Sequence, residues 1–307
     1  MSKPTVSFIT VNFNQLEVTL EMIQSIYDTT SLPFEIIVVD NASKVDPRSA
    51  LEKQFPNVIY VQSGGNLGFA KANNLGVDAS SGDYLFFVNN DTELTDMLAQ
   101  NLVDFLAKNQ KVGAVTPLIC YFPEGEKGKE DIIQYAGTTQ LSTITGRNRT
   151  IGEKEIDRNQ FNQPTLTAYA HGAAMMVPRN VIKEVGAWPE AFFLYYEELD
   201  WCEQIKQAGY EIYVVPTAKI YHKESLTIGP ESPLKVFYIN RNRVLFMRRN
   251  HSFVSLIPYF VFLWLVTYPK NVITYLLRGK GKLAKAFNRG VWWNVFPKGI
   301  GEPYLPK

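Results

Sequence analysis

An α/β fold built on a mainly parallel sheet is predicted for this chain, and three observations predict it. Short, almost uniformly apolar runs recur at Val6–Val11, Phe34–Val39 and Tyr84–Val88, and each stops at a polar cluster. The stretches between them carry apolar residues at helical spacing, as in Leu16, Leu20, Ile23, Ile26 and Tyr27. The polar clusters that close the runs (Asn12, Asp40, Asp91) therefore fall on one rim. Continuous apolar runs mark strands buried on both faces, and their alternation with helices marks parallel pairing. In open sheets of this kind, ligands bind at the carboxyl ends of the strands.

In chain order, Val6 to Val11 reads as a strand ending in Asn12-Phe13-Asn14, and Leu16 to Tyr27 as an amphipathic helix. Phe34 to Val39 is a second strand, closed by Asp40-Asn41-Ala42-Ser43. Pro47 to Phe55 reads as a helix and Val58 to Gln62 as a third strand. Gly64 to Gly68 is a loop, Phe69 to Ala79 a helix, and Tyr84 to Val88 a fourth strand running into Asn89-Asn90-Asp91-Thr92-Glu93. A helix over Thr95 to Asn109 follows, with Thr95 as its expected cap. Residues 122–162 are polar with little periodicity, and read as long loops or a small excursion over the site. Arg179 to Val185 and Trp201 to Ala208 are short helices, and Glu211–Pro216 and Ala218–His222 two extended runs.

The chain has 307 residues, 46% of them apolar, which suffices for a sizeable core. A net charge of +1 gives no global electrostatic case for nucleic acid. Cys120 and Cys202 lack zinc spacing and read as buried or free thiols. The N-terminus enters a strand without a signal-type apolar run, so a cytoplasmic protein is expected. Phe253 to Val266 is almost continuously apolar, short of the roughly 20 residues that a membrane span requires. Basic residues and Trp292-Trp293 follow. Residues 253–298 thus suit a membrane surface, with a buried helix and solvated basic tail as the alternative.

Several residues offer chemistry. Asp40 suits a nucleobase or ribose contact, and equally a turn. Asp91 suits a hard divalent cation such as Mg²⁺ or Mn²⁺ completed by a diphosphate, and equally a helix cap. Glu197, Glu198 and Asp200 crowd a helix start, which suits a general base with a raised pKa or plain helix-dipole stabilisation. His171 either lines the site or packs, and His222 follows a strand. No G-x-G-x-x-G, G-x-x-x-x-G-K-[ST] or G-x-S-x-G pattern occurs, which removes the commonest dehydrogenase, P-loop and hydrolase signals.

The order of the pieces carries more than any one of them. Val6 to Asn14, Val38 to Ser43, Asn66 to Asn74 and Asn89-Asn90-Asp91-Thr92 resemble glycosyltransferase family 2 in sequence and spacing. So do Tyr196 to Cys202, His222 to Ser225 and Arg241-Asn242, and the resemblance covers roughly residues 4–250. The rhamnosyltransferase-like branch is the most similar. The resemblance implies a GT-A fold. Its nucleotide-binding half would span about 1–115 and its acceptor half about 116–250, with a helical C-terminal extension over 251–307. It implies nucleotide-sugar contacts at Asn12, Asn14, Asp40, Gly68, Lys71, Asn73, Asn74, Asn90 and Arg241. It implies metal ligands at Asp91 and His222, with Asn89 replacing the first acid of the family's D-x-D turn. It implies a general base at Glu198 or its neighbour Glu197. The expected activity is inverting transfer from dTDP-rhamnose or a UDP-hexose to a glycan or lipid-linked glycan in surface polysaccharide synthesis. The place expected for it is the cytoplasm or the inner face of the plasma membrane. A nucleotidyltransferase and a sugar-nucleotide-binding protein without turnover are the rival readings.

Overall fold

A computed structural model describes residues 4–123, 130–223 and 232–295. Strands β1 (Val6–Asn12), β2 (Phe34–Asp40), β3 (Ile59–Gln62) and β4 (Tyr84–Val88) pair in parallel in the order β3-β2-β1-β4. The sheet continues through β9 (Ala174–Pro178), β6 (Val112–Tyr121), β10 (Glu211–His222) and β5 (Thr92–Leu94). β9 runs antiparallel to both neighbours, and β5 runs antiparallel to β10. The mainly parallel α/β sheet expected from the sequence is therefore present.

Helices cover both faces, and successive residues of one strand serve opposite sides. Phe8 joins Val38, Phe86 and the helices α1 (Leu16–Thr29) and α4 (Leu98–Lys108). Ile9 joins Val39, Phe87 and the helices α3 (Phe69–Ala79), α5 (Arg179–Val185) and α6 (Glu197–Gln207). α2 (Arg48–Gln54) adds the buried Leu51 to the first side. Each fully buried side chain of this size contributes about 1.5–3 kcal/mol by leaving water.

Four local expectations change. Thr95 is not a helix cap: its hydroxyl donates to the Lys219 carbonyl, and α4 begins at Leu98 behind Met97. The residues just after Asp91 form β5, because β10 offers them an open edge. The two runs around Pro216 are one strand, β10, with a break in register between Val215 and Lys219. The polar excursion is tied to the sheet: its strand β7 (Ile133–Tyr135) pairs with β6, while β8 (Thr165–Leu166), just beyond it, pairs with β10. Lys219 Nζ pins it from beneath, 2.9 Å from Asp131 and 2.6 Å from Asp157, and the Tyr221 hydroxyl donates to Asp131 at 2.9 Å.

The C-terminal helices pack onto the sheet domain. α10 (Gly281–Trp293) lies along α7 (Pro233–Asn250) so closely that a Cβ on Gly290 would sit 2.5 Å from the Phe237 carbonyl oxygen. Asn294 then donates to the Arg241 carbonyl. α8 (Phe253–Phe262), a π turn (Leu263–Thr267) and α9 (Tyr268–Leu277) run on as one 25-residue helix. By length and composition alone this helix could cross a membrane, where the sequence reading found the apolar run too short. The wider π turn just ahead of Pro269 lets the helix continue past a residue that has no N–H to donate.

Candidate active site

A cleft of about 570 Å³ opens at the carboxyl ends of β1, β2 and β4. Its size is that of an ordinary small-molecule site. Asn89, Asn90 and Asp91 form one wall, His171, Gly172, Glu197 and Glu198 another, and Phe13, Asn41 and Gly68 a third.

The register of β5 on β10 places Thr92 opposite His222, and this brings Asp91 to the histidine. His222 Nε2 lies 3.1 Å from Asp91 Oδ1, and His222 Nδ1 lies 2.8 Å from Gln134 Oε1. An amide oxygen only accepts, so Nδ1 carries the proton and Nε2 turns a lone pair toward a carboxylate. Two electron-rich atoms at that separation need a cation between them, a proton or a metal ion. The donor set of one carboxylate and one imidazole, the latter oriented from behind by Gln134, fits a divalent cation that takes its remaining ligands from water and phosphate. Gln134 escaped the sequence reading, since it lies in the polar excursion and reaches His222 only because β7 and β10 both pair with β6.

The acidic wall is set by strained backbone. Tyr195 and Tyr196 both have positive φ, 70° and 76°, immediately before α6. Asn242 holds them: its buried amide donates to the carbonyls of Leu194 at 2.8 Å and Tyr195 at 2.7 Å. The Arg243 guanidinium donates to the Tyr196 hydroxyl. This clamp aims the first turn of α6 into the cleft. Glu197 is buried, and its Oε2 has no hydrogen-bond partner. Burial raises its pKa well above the usual carboxylate range, and the neighbouring Glu198 adds to the shift. Glu198 is more open to the cleft, and burial raises it to about 7. Asp200, one turn further, faces away and binds Arg249 and Asn250, so it ties α6 to α7 and has no place in the cleft. Replacing Asn242 with Ala leaves two carbonyls without donors. We expect a loss of about 1–3 kcal/mol in thermal unfolding, and a fall in kcat larger than any change in donor Kd.

His171 has its ring against Tyr135 and His222, and its Nδ1 accepts the Ala173 N–H at 3.1 Å. Burial, with His222 nearby, lowers its pKa to about 3. It is therefore a neutral imidazole whose Nε2 carries the proton.

The residues expected on the nucleotide side divide. Gly68 and Asn90 line the cleft. Gly68 has φ +81°, and a Cβ there would sit 2.2 Å from the Phe193 carbonyl oxygen. That carbonyl accepts the Phe69 N–H, so the glycine loop is fastened to the loop carrying the acids. Asn90 donates to Thr19 Oγ1, which reaches Asn12 Oδ1. Asn12 in turn donates to Asp40. Asn12 and Asp40 are both buried where the rim is built, and Asp40 also accepts from the Ser43 N–H. Asn14 is exposed and tied to Ser43 and Lys44. Lys71 points to solvent on α3, the Asn73 amide donates to the Phe69 carbonyl one turn back, and the Asn74 amide donates to the Trp188 carbonyl. Arg241 does not line the cleft: it is buried against Trp293 at 4.0 Å and the Ala191 carbonyl. Of His222-Lys223-Glu224-Ser225, the last two lie outside the described residues. Phe13, Asn41 and Lys235 also line the cleft: the first two lie inside the motifs but are not among the contacts that the resemblance implies, and Lys235 lies outside them.

The pattern of "Glycosyl transferase family 2" matches residues 7–186. The chain belongs to glycosyltransferase family 2. Among its relatives is a low-salt glycan biosynthesis hexosyltransferase, Agl10, of Haloferax volcanii, 25% identical over 78% of this chain and 74% of that one. An N-acetylglucosaminyl-diphospho-decaprenol L-rhamnosyltransferase of Mycobacterium tuberculosis is 24% identical over 73% of this chain and 77% of its own. The fold is that of the mannosyltransferase PcManGT from Pyrobaculum calidifontis, solved with GDP-Man and Mn²⁺. Its TM-score is 0.60 at 14% identity, over 97% of this chain and 89% of that one. TarS of S. aureus, solved with UDP-GlcNAc, gives 0.58 at 14% identity over 94% and 81%. For this family 2 enzyme, transfer of a sugar from a nucleotide-sugar is the activity class.

Proposed function

We propose that the chain is an inverting, metal-dependent glycosyltransferase, with Asp91 and His222 holding the cation and Glu198 acting as the base. The observation that carries this reading is the meeting of two unlike groups in one cleft: a carboxylate–imidazole pair in need of a cation, and a carboxyl whose pKa is raised to about 7. A divalent cation bound by the pair supplies positive charge to the departing diphosphate. Glu198 takes the proton of the acceptor hydroxyl as its oxygen bonds to the anomeric carbon and the bond to the diphosphate breaks. A base with a pKa near 7 suits this, being about half ionised at neutral pH yet basic enough to accept a proton. Glu197, less exposed and with one oxygen unpartnered, serves to orient a hydroxyl. Asn89 stands where the family's first acid would be, so a bound cation would rely on Asp91, His222 and the diphosphate.

The donor is dTDP-rhamnose or a UDP-hexose, and the acceptor a glycan or lipid-linked glycan of surface polysaccharide. The named rhamnosyl- and hexosyltransferase relatives support this, and the Mn²⁺ of the mannosyltransferase structure supports the metal. Both cysteines are buried and free, which supports a reducing, cytoplasmic setting. The purified protein, given a panel of dTDP- and UDP-sugars with Mn²⁺, should release nucleoside diphosphate from one donor preferentially. Proton NMR of the first product should show the anomeric configuration inverted. Calorimetric binding of a donor without any turnover would favour a binding protein and sink the catalytic reading.

A further inference from the structure

The 25-residue helix from Phe253 to Leu277 is about 37 Å long, and its two faces have different fates. Leu256, Tyr259 and Leu263 are buried, joined to the core side that contains Phe246 and Phe287. The opposite face is bare: Val254 is 73% exposed, Val261 53%, Leu265 73%, Leu276 60% and Leu277 83%. Val254, Ile257, Val261 and Leu265 recur every three or four residues, and Ile273 and Leu276 resume the pattern beyond Pro269, so they form one stripe along the helix rather than scattered surface residues. Only 17% of the most apolar stretch is buried.

The charge around the stripe is one-sided. No Asp or Glu occurs between His251 and Val295, while Lys270, Arg278, Lys282 and Lys285 are all exposed there. Trp264, Tyr268 and Trp292 cluster beside it, with the Trp292 indole donating to the Tyr268 hydroxyl at 3.1 Å. Aromatic rings with a polar tip prefer the level of lipid headgroups.

We infer that this stripe docks the enzyme on an anionic lipid bilayer, with the helix lying in the plane of the interface. Two other occupants fit less well. A spanning helix would have to peel Leu256, Tyr259 and Leu263 from the core they complete. A second copy meeting the stripe by two-fold symmetry would set one acid-free basic surface against another. An anionic bilayer matches both the apolar face and the charge. The inference does not depend on the reaction proposed above.

Co-sedimentation of the full chain with vesicles tests it. The chain should pellet with phosphatidylcholine vesicles containing phosphatidylglycerol, at least tenfold more tightly than with phosphatidylcholine alone, and raised salt should reduce the difference. The double variant Leu265→Glu/Leu276→Glu should lose binding at least tenfold with unchanged circular dichroism, since both side chains face solvent. Changing Lys270, Arg278, Lys282 and Lys285 to Gln should abolish the preference for anionic lipid. Equal binding to both vesicle types, or none, would overturn the docking surface. So would a dimer in solution that Leu265→Glu splits. Retention in expressing-cell membranes through alkaline carbonate washing would overturn the in-plane placement in favour of a span.

Discussion

Glu198→Gln is expected to lower kcat by about 10²- to 10⁴-fold while leaving the protein folded, the range that positioned general bases contribute. Gln keeps the shape and removes the proton acceptor. The wild-type enzyme should also show an acid limb in kcat with its midpoint near pH 7, because burial holds the Glu198 carboxyl at about that value. The sign of the stability effect is opposite. A carboxyl raised above its unfolded value of 4.5 favours folding most fully below pH 4.5, and this contribution is lost as pH rises through 7. Glu198→Gln should therefore unfold at a higher temperature than wild type at pH 8, with the gap closing toward pH 5. A pH–rate series with matched melting curves checks both. An unchanged acid limb in the variant would move the base role to Glu197.

Asp91→Asn removes the turn's carboxylate facing His222, and should lower kcat/KM by about 10²- to 10⁴-fold, the several kcal/mol that charge at a leaving diphosphate supplies. The fold should persist, because an Asn amide can donate to the His222 Nε2 lone pair that now faces a carboxylate. Isothermal titration with Mn²⁺ should show the loss directly. Gln134→Leu, which leaves both ligands in place but frees the His222 ring, should weaken Mn²⁺ by about 10- to 100-fold. Wild-type Mn²⁺ affinity in Asp91→Asn would remove this site from the mechanism.

The strands β1, β2 and β4 and the site's acidic wall were legible because local pattern and local chemistry agree there. Buried parallel strands read as continuous apolar runs, and each ended where the rim begins. What stayed hidden was long-range. Gln134 meets His222 only through pairing of β7 with β6 and β6 with β10. Asn242 reaches the Tyr195 carbonyl from 47 positions away. Arg241 illustrates the converse: a basic residue in the right order reads as a phosphate ligand, yet packing turned it onto Trp293. Asn12 and Asp40 were placed on the correct rim, but a sequence does not say that each would take the other as its partner.

The ammonium of Lys219 also bears on how a metal titration will look. Among the described residues, Cys120, Asp131 and Asp157 are the group of three potential ligands close enough to share an ion. Lys219 already stands between the two carboxylates, and their bonds hold its pKa above the ordinary lysine value. A divalent ion entering there would have to evict a resident monovalent charge that cannot diffuse away. The chain thus carries its own tethered competitor at the decoy position, and a Mn²⁺ isotherm should saturate as a single class of sites, its stoichiometry uninflated by the second acidic cluster.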